Sequence, residues 1–337
     1  MSKISKFLGV LNRHLTWGIF TVMVLGLTVG ALGGGIPFNL GICATASFLM
    51  IYPMFINLRL EDLAELPRHK APIGLALVLN FLISPALAWG LSQIFLAQQP
   101  YLALGLILIS LVPTSGMTAT WTELSHGNLK VALSIIAASL VLVILGLPLV
   151  LPFFAGNILT VGPVFILARV ALVIVLPLLL GDVTRRLILA KKGPVTFKKL
   201  KPVFSGLSSL GLMAVLFLIM SLNTNKALLQ RPDLVLSLLP PLVLYYGFMF
   251  GLSTLLSLKF PYPTRVAVVY GTSVRYLALA LGIAVPLLGS GSHSSLVVLA
   301  IALAFFIQVP FSSLYSKILT KSQQQKLGVF ERQPPQS

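Results

Sequence analysis

Charged side chains are scarce in this sequence, and acidic ones are the scarcest. Asp, Glu, Lys and Arg together make up 9% of the 337 residues, and only seven residues are acidic. Apolar residues make up 57%, whereas about one quarter of an ordinary soluble domain is charged. This composition excludes a soluble globular protein and predicts an all-α integral membrane protein.

Paired cysteines, histidine clusters and enzyme motifs are also missing. Cys43 is the single cysteine, so no disulfide can form within one chain. The four histidines fall in predicted loops or at predicted helix ends, which argues against a metal site. The patterns HExxH, CxxC, GxxxxGKS, GxxxxGKT and GxSxG are absent, and with them the usual hydrolytic, thiol and phosphate-loop chemistries. We predict no catalytic residue, no bound metal and no cofactor.

Long apolar stretches, in contrast, fill the sequence almost from end to end. A helix needs about 20 mostly apolar residues to cross a hydrocarbon core of about 30 Å. Short polar or Pro/Gly segments separate ten such stretches. We predict transmembrane helices at residues 15–34, 38–58, 72–96, 101–125, 129–154, 162–190, 203–223, 234–257, 263–288 and 295–318.

The sequence has a net charge of +17, and its basic residues are concentrated on one side of the predicted membrane helices. Nearly all Lys and Arg residues outside the spans fall before the first helix, in even-numbered loops, or after the last helix. The opposite face carries only Lys226 and Arg231. Basic loops stay in the cytoplasm, so we predict a multi-pass protein of the plasma membrane with both termini cytoplasmic. Its surroundings are the lipid bilayer, and the charge does not indicate a nucleic-acid partner.

The spans divide into two groups of five. An odd number of helices per half makes the second half enter the membrane from the other side, which is the inverted-repeat architecture of many transporters. We predict a first repeat at residues 1–157, a second at 158–320 and a disordered cytoplasmic tail at 321–337.

The fourth span of each half carries an interruption. Pro113–Gly116 interrupts the fourth span and Gly271–Val274 the ninth, because proline removes a helical donor and glycine lowers the cost of leaving helical geometry. Corresponding broken helices indicate a transport site near the membrane midplane. An ordinary pair of Pro/Gly kinks is the alternative.

Polar side chains gather around both interruptions. The candidate substrate-binding residues are Thr114, Ser115, Thr118 and Glu123 in the fourth span, Thr272, Ser273 and Arg275 in the ninth, and Asn80 in the third. Arg275 is the most informative, because a cation near the bilayer centre costs about 2.5–3.5 kcal/mol on insertion scales. Such a residue is retained when a carboxylate, water or an anionic substrate compensates it. Arg275 therefore lines the cavity or pairs with Glu123, and both hold if substrate binding competes with the pair.

Four segments resemble the bile acid:sodium symporter superfamily, and within it the arsenite efflux permeases. They are MIYPMFINLRLEDL at the end of the second span, NFLISPALAW in the third, PTSGMTATWTEL in the fourth and GTSVRYLALALGIA in the ninth. The resemblance implies ten helices, a panel domain, a core domain and alternating access around broken, crossing helices 4 and 9.

The departures from the family pattern concern mechanism. The arsenite permeases have a cysteine after the proline of the fourth helix, where this chain has Thr114. The glutamate that the resemblance implies in the ninth helix is missing between Gly271 and Gly282, and the Ser-Asn pair of sodium-coupled relatives is replaced by Thr118 and Ala119. These departures speak against coupling to sodium and leave proton coupling open. Arg275 is a candidate to occupy the position at which relatives bind a cation.

The sequence thus predicts a secondary transporter of a small anion or oxyanion, related to arsenite efflux permeases. One alternative is a sodium-coupled organic-anion symporter of the bile-acid type. A second, from another class, is a channel-like facilitator.

Overall fold

The computed structural model describes residues 15–32, 40–57, 68–155, 163–221, 232–288 and 292–330. Predictions that concern Arg59, Lys226, Arg231, residues 331–337 or the side chain of Cys43 lie outside the described residues. Within those ranges the chain is helical apart from short connections, and it contains no β-strand. The prediction of an all-α protein is therefore confirmed.

The helices are numbered along the chain. They are α1 (Leu15–Leu32), α2 (Leu40–Ile56), α3 (Lys70–Phe95), α4 (Pro100–Leu111), α5 (Met117–Leu124), α6 (Leu129–Ala155), α7 (163–192), α8 (194–220), α9 (Pro232–Leu256), α10 (Tyr262–Ser273), α11 (Leu277–Leu288) and α12 (Ser292–Phe330). Gly193 separates α7 from α8, with a φ of 74° that suits glycine.

Length and apolar composition fit a membrane protein. Among the described residues, five helical stretches are long and apolar enough to cross a membrane: Lys70–Phe95, Leu129–Phe154, Val164–Leu218, Asp233–Leu256 and His293–Leu319. Three shorter apolar helices lie at Phe20–Leu32, Thr45–Ile56 and Pro100–Leu111. The count of ten spans stays a prediction, as do the two repeats and the disordered tail. Helix α12 continues to Phe330, into the segment assigned to that tail.

Two helices contain a π-helical turn, and a proline explains each. The turn Leu79–Ile83 lies in α3 and the turn Ala171–Val175 in α7. Pro85 and Pro177 follow these turns by two residues. Proline has no N–H and its ring clashes with the carbonyl four residues earlier, which here belongs to the middle of each π turn. The wider turn accommodates that carbonyl and places Asn80 at a local irregularity of α3.

The helices pack as two groups. In the first, which we call the panel, α1 packs against α8, and α2 packs against α7 and α8. In the second, which we call the core, α3 to α6 pack with α9 to α12. Contacts between α2 and α11, α6 and α7, and α8 and α12 join the groups. Both interrupted helices belong to the core and face the panel across two cavities.

Candidate functional site

The two interruptions meet in the middle of the core. Helix α4 ends at Leu111 and α5 begins at Met117, while α10 ends at Ser273 and α11 begins at Leu277. Between these ends the chain is extended, and Thr114 and Arg275 form an isolated antiparallel bridge. The N–H of Ser115 donates to the carbonyl of Val274 at 3.0 Å, and the N–H of Tyr276 donates to the carbonyl of Pro113 at 2.9 Å. We call this junction the crossover.

Side chains from neighbouring helices complete the hydrogen bonding of the crossover. The N–H of Thr114 donates to Oγ of Ser139 in α6 at 3.3 Å. In the segment between α10 and α11, Oε1 of Gln308 in α12 accepts the N–H of Arg275 at 2.7 Å, and Nε2 of Gln308 donates to the carbonyl of Arg275 at 3.1 Å. Since lipid offers no partners to an unwound backbone, Gln308 takes the place of the missing helical turn.

Two cavities lie beside the crossover, between panel and core. The first has a volume of about 530 Å³ and is lined by Thr114 and Glu123 from the core and by Lys201 from the panel, among others. The second has a volume of about 630 Å³ and is lined by Ser115, Trp121, Arg275 and Gln308 from the core and by Ser205, Ser208 and Ser209 from the panel. Met54, Thr120, Ser205 and Tyr276 line both.

Four of the eight candidate residues line a cavity. Thr114 and Glu123 line the first, and Ser115 and Arg275 line the second. The other four, Asn80, Thr118, Thr272 and Ser273, line neither cavity and are fully buried in the core.

The buried hydroxyl groups mainly support the backbone. Oγ1 of Thr114 donates to the carbonyl of Val274 at 2.9 Å, and Oγ1 of Thr118 donates to the carbonyl of Tyr270 at 3.2 Å. Oγ1 of Thr272 donates to carbonyls of its own helix, a common use of hydroxyl groups in membrane helices. Thr114 and Thr118 thus hold the two interrupted helices together.

Asn80 connects α3 to the end of α10. Its Nδ2 donates to the carbonyl of Gly271 at 2.9 Å, and its Oδ1 is buried without a partner. We expect Asn80→Leu to lower the free energy of unfolding by about 1–3 kcal/mol, because the carbonyl of Gly271 would stay buried and unbonded. Thermal unfolding in detergent measures this loss. Leu82→Ala, an exposed change in the same turn, is the control, and equal stability of the two variants would contradict the assigned role.

Arg275 is the only arginine among the largest fully buried side chains, and its charge has no counter-ion in the described part of the chain. The residue is 1% exposed. Its Nη1 donates to the carbonyl of Val112 at 3.4 Å, while Nε and Nη2 have no hydrogen-bond partner. Glu123 is exposed in the first cavity, and no ion pair joins it to Arg275. Of the two alternatives for Arg275, this structure therefore realises the cavity-lining one.

Two further donors around the second cavity are unpartnered. Nε1 of Trp121 and the hydroxyl of Tyr276 are buried with no hydrogen bond. Trp121 stacks on Tyr270 and Tyr276 packs against Phe55, so both rings are fixed. Buried donors without partners are rare in folded proteins and require an explanation. Here the donors of Trp121, Tyr276 and Arg275 belong to residues that line one cavity.

Gln308, Trp121 and Tyr276 were not among the predicted site residues. Gln308 carries a signal, because it is the single amide in the apolar stretch 295–318. Trp121 and Tyr276 carry none, since an aromatic residue in a membrane helix usually packs in the core. Their place beside the second cavity depends on the crossover geometry.

The long apolar helices, the crossover of two interrupted helices and the cavities between two helix groups define a class of protein, the multi-pass membrane transporter. The sequence model of the Sodium Bile acid symporter family matches residues 44–230. This chain belongs to that family. It is a transporter of a small-molecule or ionic substrate and not an enzyme, as the sequence predicts.

Curated relatives cover most of the chain at low identity. The arsenical-resistance protein Acr3 of Corynebacterium glutamicum is 27% identical over 73% of this chain and 72% of its own. The protein of the same name from Alkaliphilus metalliredigens is 24% identical over 94% of each. The uncharacterized sodium-dependent transporter YocS of Bacillus subtilis is 25% identical over 79% of this chain and 78% of its own. The resemblance to the arsenite permease branch is thus confirmed.

Proposed function

We propose that this protein is a secondary transporter that carries a small anion or oxyanion across the cytoplasmic membrane by alternating access. The observation that carries the proposal is the set of unpartnered donors around the second cavity. Trp121 Nε1 and the Tyr276 hydroxyl have no acceptor, and the oxygen atoms of an anion are strong acceptors. Each unsatisfied buried donor costs about 1–3 kcal/mol, so a bound anion would recover that cost.

The charge of Arg275 adds to this preference. A buried positive charge without a carboxylate raises the electrostatic potential of the adjoining cavity, and the potential is weakly screened because the surroundings are apolar. In this proposal Arg275 attracts the anion through its charge, while Trp121 and Tyr276 bind it directly. Ser115 adds a hydroxyl at the start of α5.

Transport follows from movement of the panel against the core. Both cavities lie between the two groups, so a shift of the panel would close them on one side and open a path on the other. We further propose ten spans in two inverted five-helix repeats, with the termini in the cytoplasm. In this proposed topology Lys201 and the exposed Glu123, which line the first cavity, would lie on the cytoplasmic side.

The names of the relatives suggest an arsenic oxyanion, and the cavity suggests how it would bind. No cysteine lines either cavity within the described residues, and the resemblance described above implies that Thr114 occupies the position of the permease cysteine. Binding through an arsenic–sulfur bond is therefore not proposed. Arsenate is an anion at neutral pH and arsenous acid is uncharged, so hydrogen-bond donors beside a positive charge favour arsenate.

An organic anion is the second candidate, and the size of the cavities favours it. A volume of about 630 Å³ falls in the range of pockets that bind drug-sized molecules. Met117, Leu124, Leu212, Leu277 and Phe305 give the second cavity an apolar wall, which would suit the body of a carboxylate or sulfonate with an apolar skeleton.

The experiment is thermal unfolding of the purified protein with arsenate, arsenite, sulfate, phosphate and the bile acid taurocholate. A ligand that binds the folded state raises its apparent stability. We expect an anion to stabilise the wild-type protein. Tyr276→Phe and Trp121→Phe should each weaken its binding roughly tenfold to a hundredfold, since a hydrogen bond to a charged group contributes about 1.5–3 kcal/mol.

Tyr315→Phe is the matched control, because the hydroxyl of Tyr315 pairs with Thr254 and lines neither cavity. Equal binding by all three variants would contradict the proposed site. In proteoliposomes, accumulation of the stabilising anion against its gradient distinguishes a secondary transporter from a channel-like facilitator, which only dissipates gradients.

A further inference from the structure

No carboxylate in the described part of the chain pairs with the guanidinium of Arg275. The acidic residues that the structure describes are Glu123, Asp182 and Asp233. Glu123 is exposed in the first cavity, Asp182 pairs with Arg185 and Arg186 in α7, and Asp233 lies at the start of α9. A full positive charge therefore lies at the crossover, surrounded by neutral groups.

Those neutral groups are of the kind that coordinate metal cations. Nη1 of Arg275 contacts the carbonyl of Val112, which follows the last residue of α4. The C-terminal end of a helix carries about half a negative charge, so this carbonyl favours a cation. Gln308 bonds to the backbone of Arg275, and the hydroxyl of Tyr246 donates to Oε1 of Gln308 at 3.1 Å. In transporters with broken helices, unwound carbonyls and half-helix C-terminal ends hold the coupling sodium ion or proton.

The family and one of the relatives are named for sodium. The family is the Sodium Bile acid symporter family, and YocS is described as a sodium-dependent transporter. In this chain the cation at the C-terminal end of α4 is the guanidinium of Arg275, which is covalently attached to the crossover. A second cation in contact with the same carbonyl would be repelled by the guanidinium at short range in an apolar environment.

We propose that Arg275 is a built-in cation that replaces a coupling sodium ion, so that this transporter binds no sodium and works without a sodium gradient. The inference rests on the proposed anion transport, because the fixed charge of Arg275 is what attracts an anion to the crossover. Sodium coupling requires that the cation leave on one side of the membrane. A tethered guanidinium cannot leave, so uphill movement of the anion would have to be driven by an ion other than sodium, such as a proton.

The first test measures sodium binding directly and needs no substrate. Thermal unfolding of the purified wild-type protein is compared in sodium, potassium and choline chloride at equal ionic strength. We expect the same midpoint in all three salts. In Arg275→Ala, the side-chain space is vacated while the Val112 carbonyl remains. We expect this variant to be less stable than wild type in potassium and to be stabilised specifically by sodium or by guanidinium at millimolar concentration.

Two variants serve as controls. Arg275→Lys keeps a cation at the same position and should remain indifferent to sodium. Arg265→Ala removes an arginine from the other end of α10, where it lies over the ring of Tyr262, and should also show no response to sodium. Should Arg275→Ala not fold, the wild-type and Arg275→Lys measurements still decide the matter.

A sodium-specific rise in the wild-type midpoint would overturn the inference, and so would a folded Arg275→Ala protein that ignores sodium and guanidinium. Arsenate uptake into proteoliposomes, measured in sodium and in potassium, separates this inference from the proposed function. Uptake that requires sodium overturns the built-in cation and leaves anion transport intact. A failure of every anion to bind or move overturns the proposed function, whatever the sodium result.

Discussion

Gln308→Leu is expected to abolish transport and to lower the free energy of unfolding by roughly 2–6 kcal/mol. The substitution keeps a side chain of similar size but removes both hydrogen bonds to the backbone of Arg275, together with the acceptor of the Tyr246 hydroxyl. The carbonyl of Arg275 still accepts the N–H of Leu277, so two donors, the N–H of Arg275 and the hydroxyl of Tyr246, are left without a partner. Each such buried group costs about 1–3 kcal/mol. The loss is large beside a typical stability of about 5–15 kcal/mol. Thermal unfolding and anion uptake in proteoliposomes measure the two effects.

The substitution Gln308→Glu separates the contribution of Gln308 to folding from the effect of charge at the crossover. A carboxylate accepts the N–H of Arg275 as the amide does, although it cannot donate to the carbonyl of Arg275. It also places a negative charge beside the only buried, uncompensated cation of the described crossover. We expect Gln308→Glu to unfold at a temperature between those of Gln308→Leu and wild type, yet to lose anion binding as completely. Normal uptake by Gln308→Leu would contradict the assignment of Gln308 as the support of the crossover.

Gly211→Val is expected to disrupt the panel. A Cβ at position 211 would clash with the backbone N of Met50 and would lie 2.6 Å from its Cα. These are backbone atoms of α2, so no side-chain rotation relieves the clash, and α8 would have to move away from α2. Overpacking typically costs about 1–3 kcal/mol, and we expect a value at or above the upper end. The thermal midpoint in detergent would fall, and the yield of folded protein with it.

Gly251→Ala is the matched control for a glycine in a membrane helix. Apart from α9 itself, no described residue has an atom within 4 Å of a Cβ placed at Gly251. Replacing a helical glycine by alanine there should stabilise the helix by about 0.5–1 kcal/mol. Opposite signs for the two substitutions would confirm that close approach of α2 and α8, and not glycine flexibility, requires Gly211. A Gly211→Val protein as stable as wild type would show that the panel helices lie further apart.

The positions of the two interruptions were predictable because their causes are local. Pro113 cannot donate to the helix, and the Gly271–Val274 segment joins glycine to hydroxyl and β-branched residues that are poor helix formers. The structure ends α4 at Leu111 and α10 at Ser273, as such local chemistry requires. Arg275 was predictable for a similar reason, since one cation in a long apolar stretch is conspicuous at any depth.

The sequence did not predict which candidate hydroxyl groups line a cavity and which are buried in the core. Thr114, Thr118 and Thr272 have the same chemistry and lie in similar contexts. Only the crossing of α4/α5 with α10/α11 decides that Thr114 lines a cavity while Thr118 binds the carbonyl of Tyr270. The predicted alternative of an Arg275–Glu123 pair also depended on distance in space, and the structure places Glu123 in a different cavity from Arg275.

The sequence by itself determined that the protein is an α-helical membrane protein, where its helices break and that one of them carries a cation, because solvent transfer and backbone geometry act residue by residue. Tertiary structure decided what surrounds that cation. Gln308, Trp121 and Tyr276 lie 33, 154 and 1 residues from Arg275 in the chain, and their donors and acceptors converge only when α12, α5 and α11 pack around the crossover. Long-range packing fixes which buried donors remain without partners, and it is these donors that define the candidate anion site.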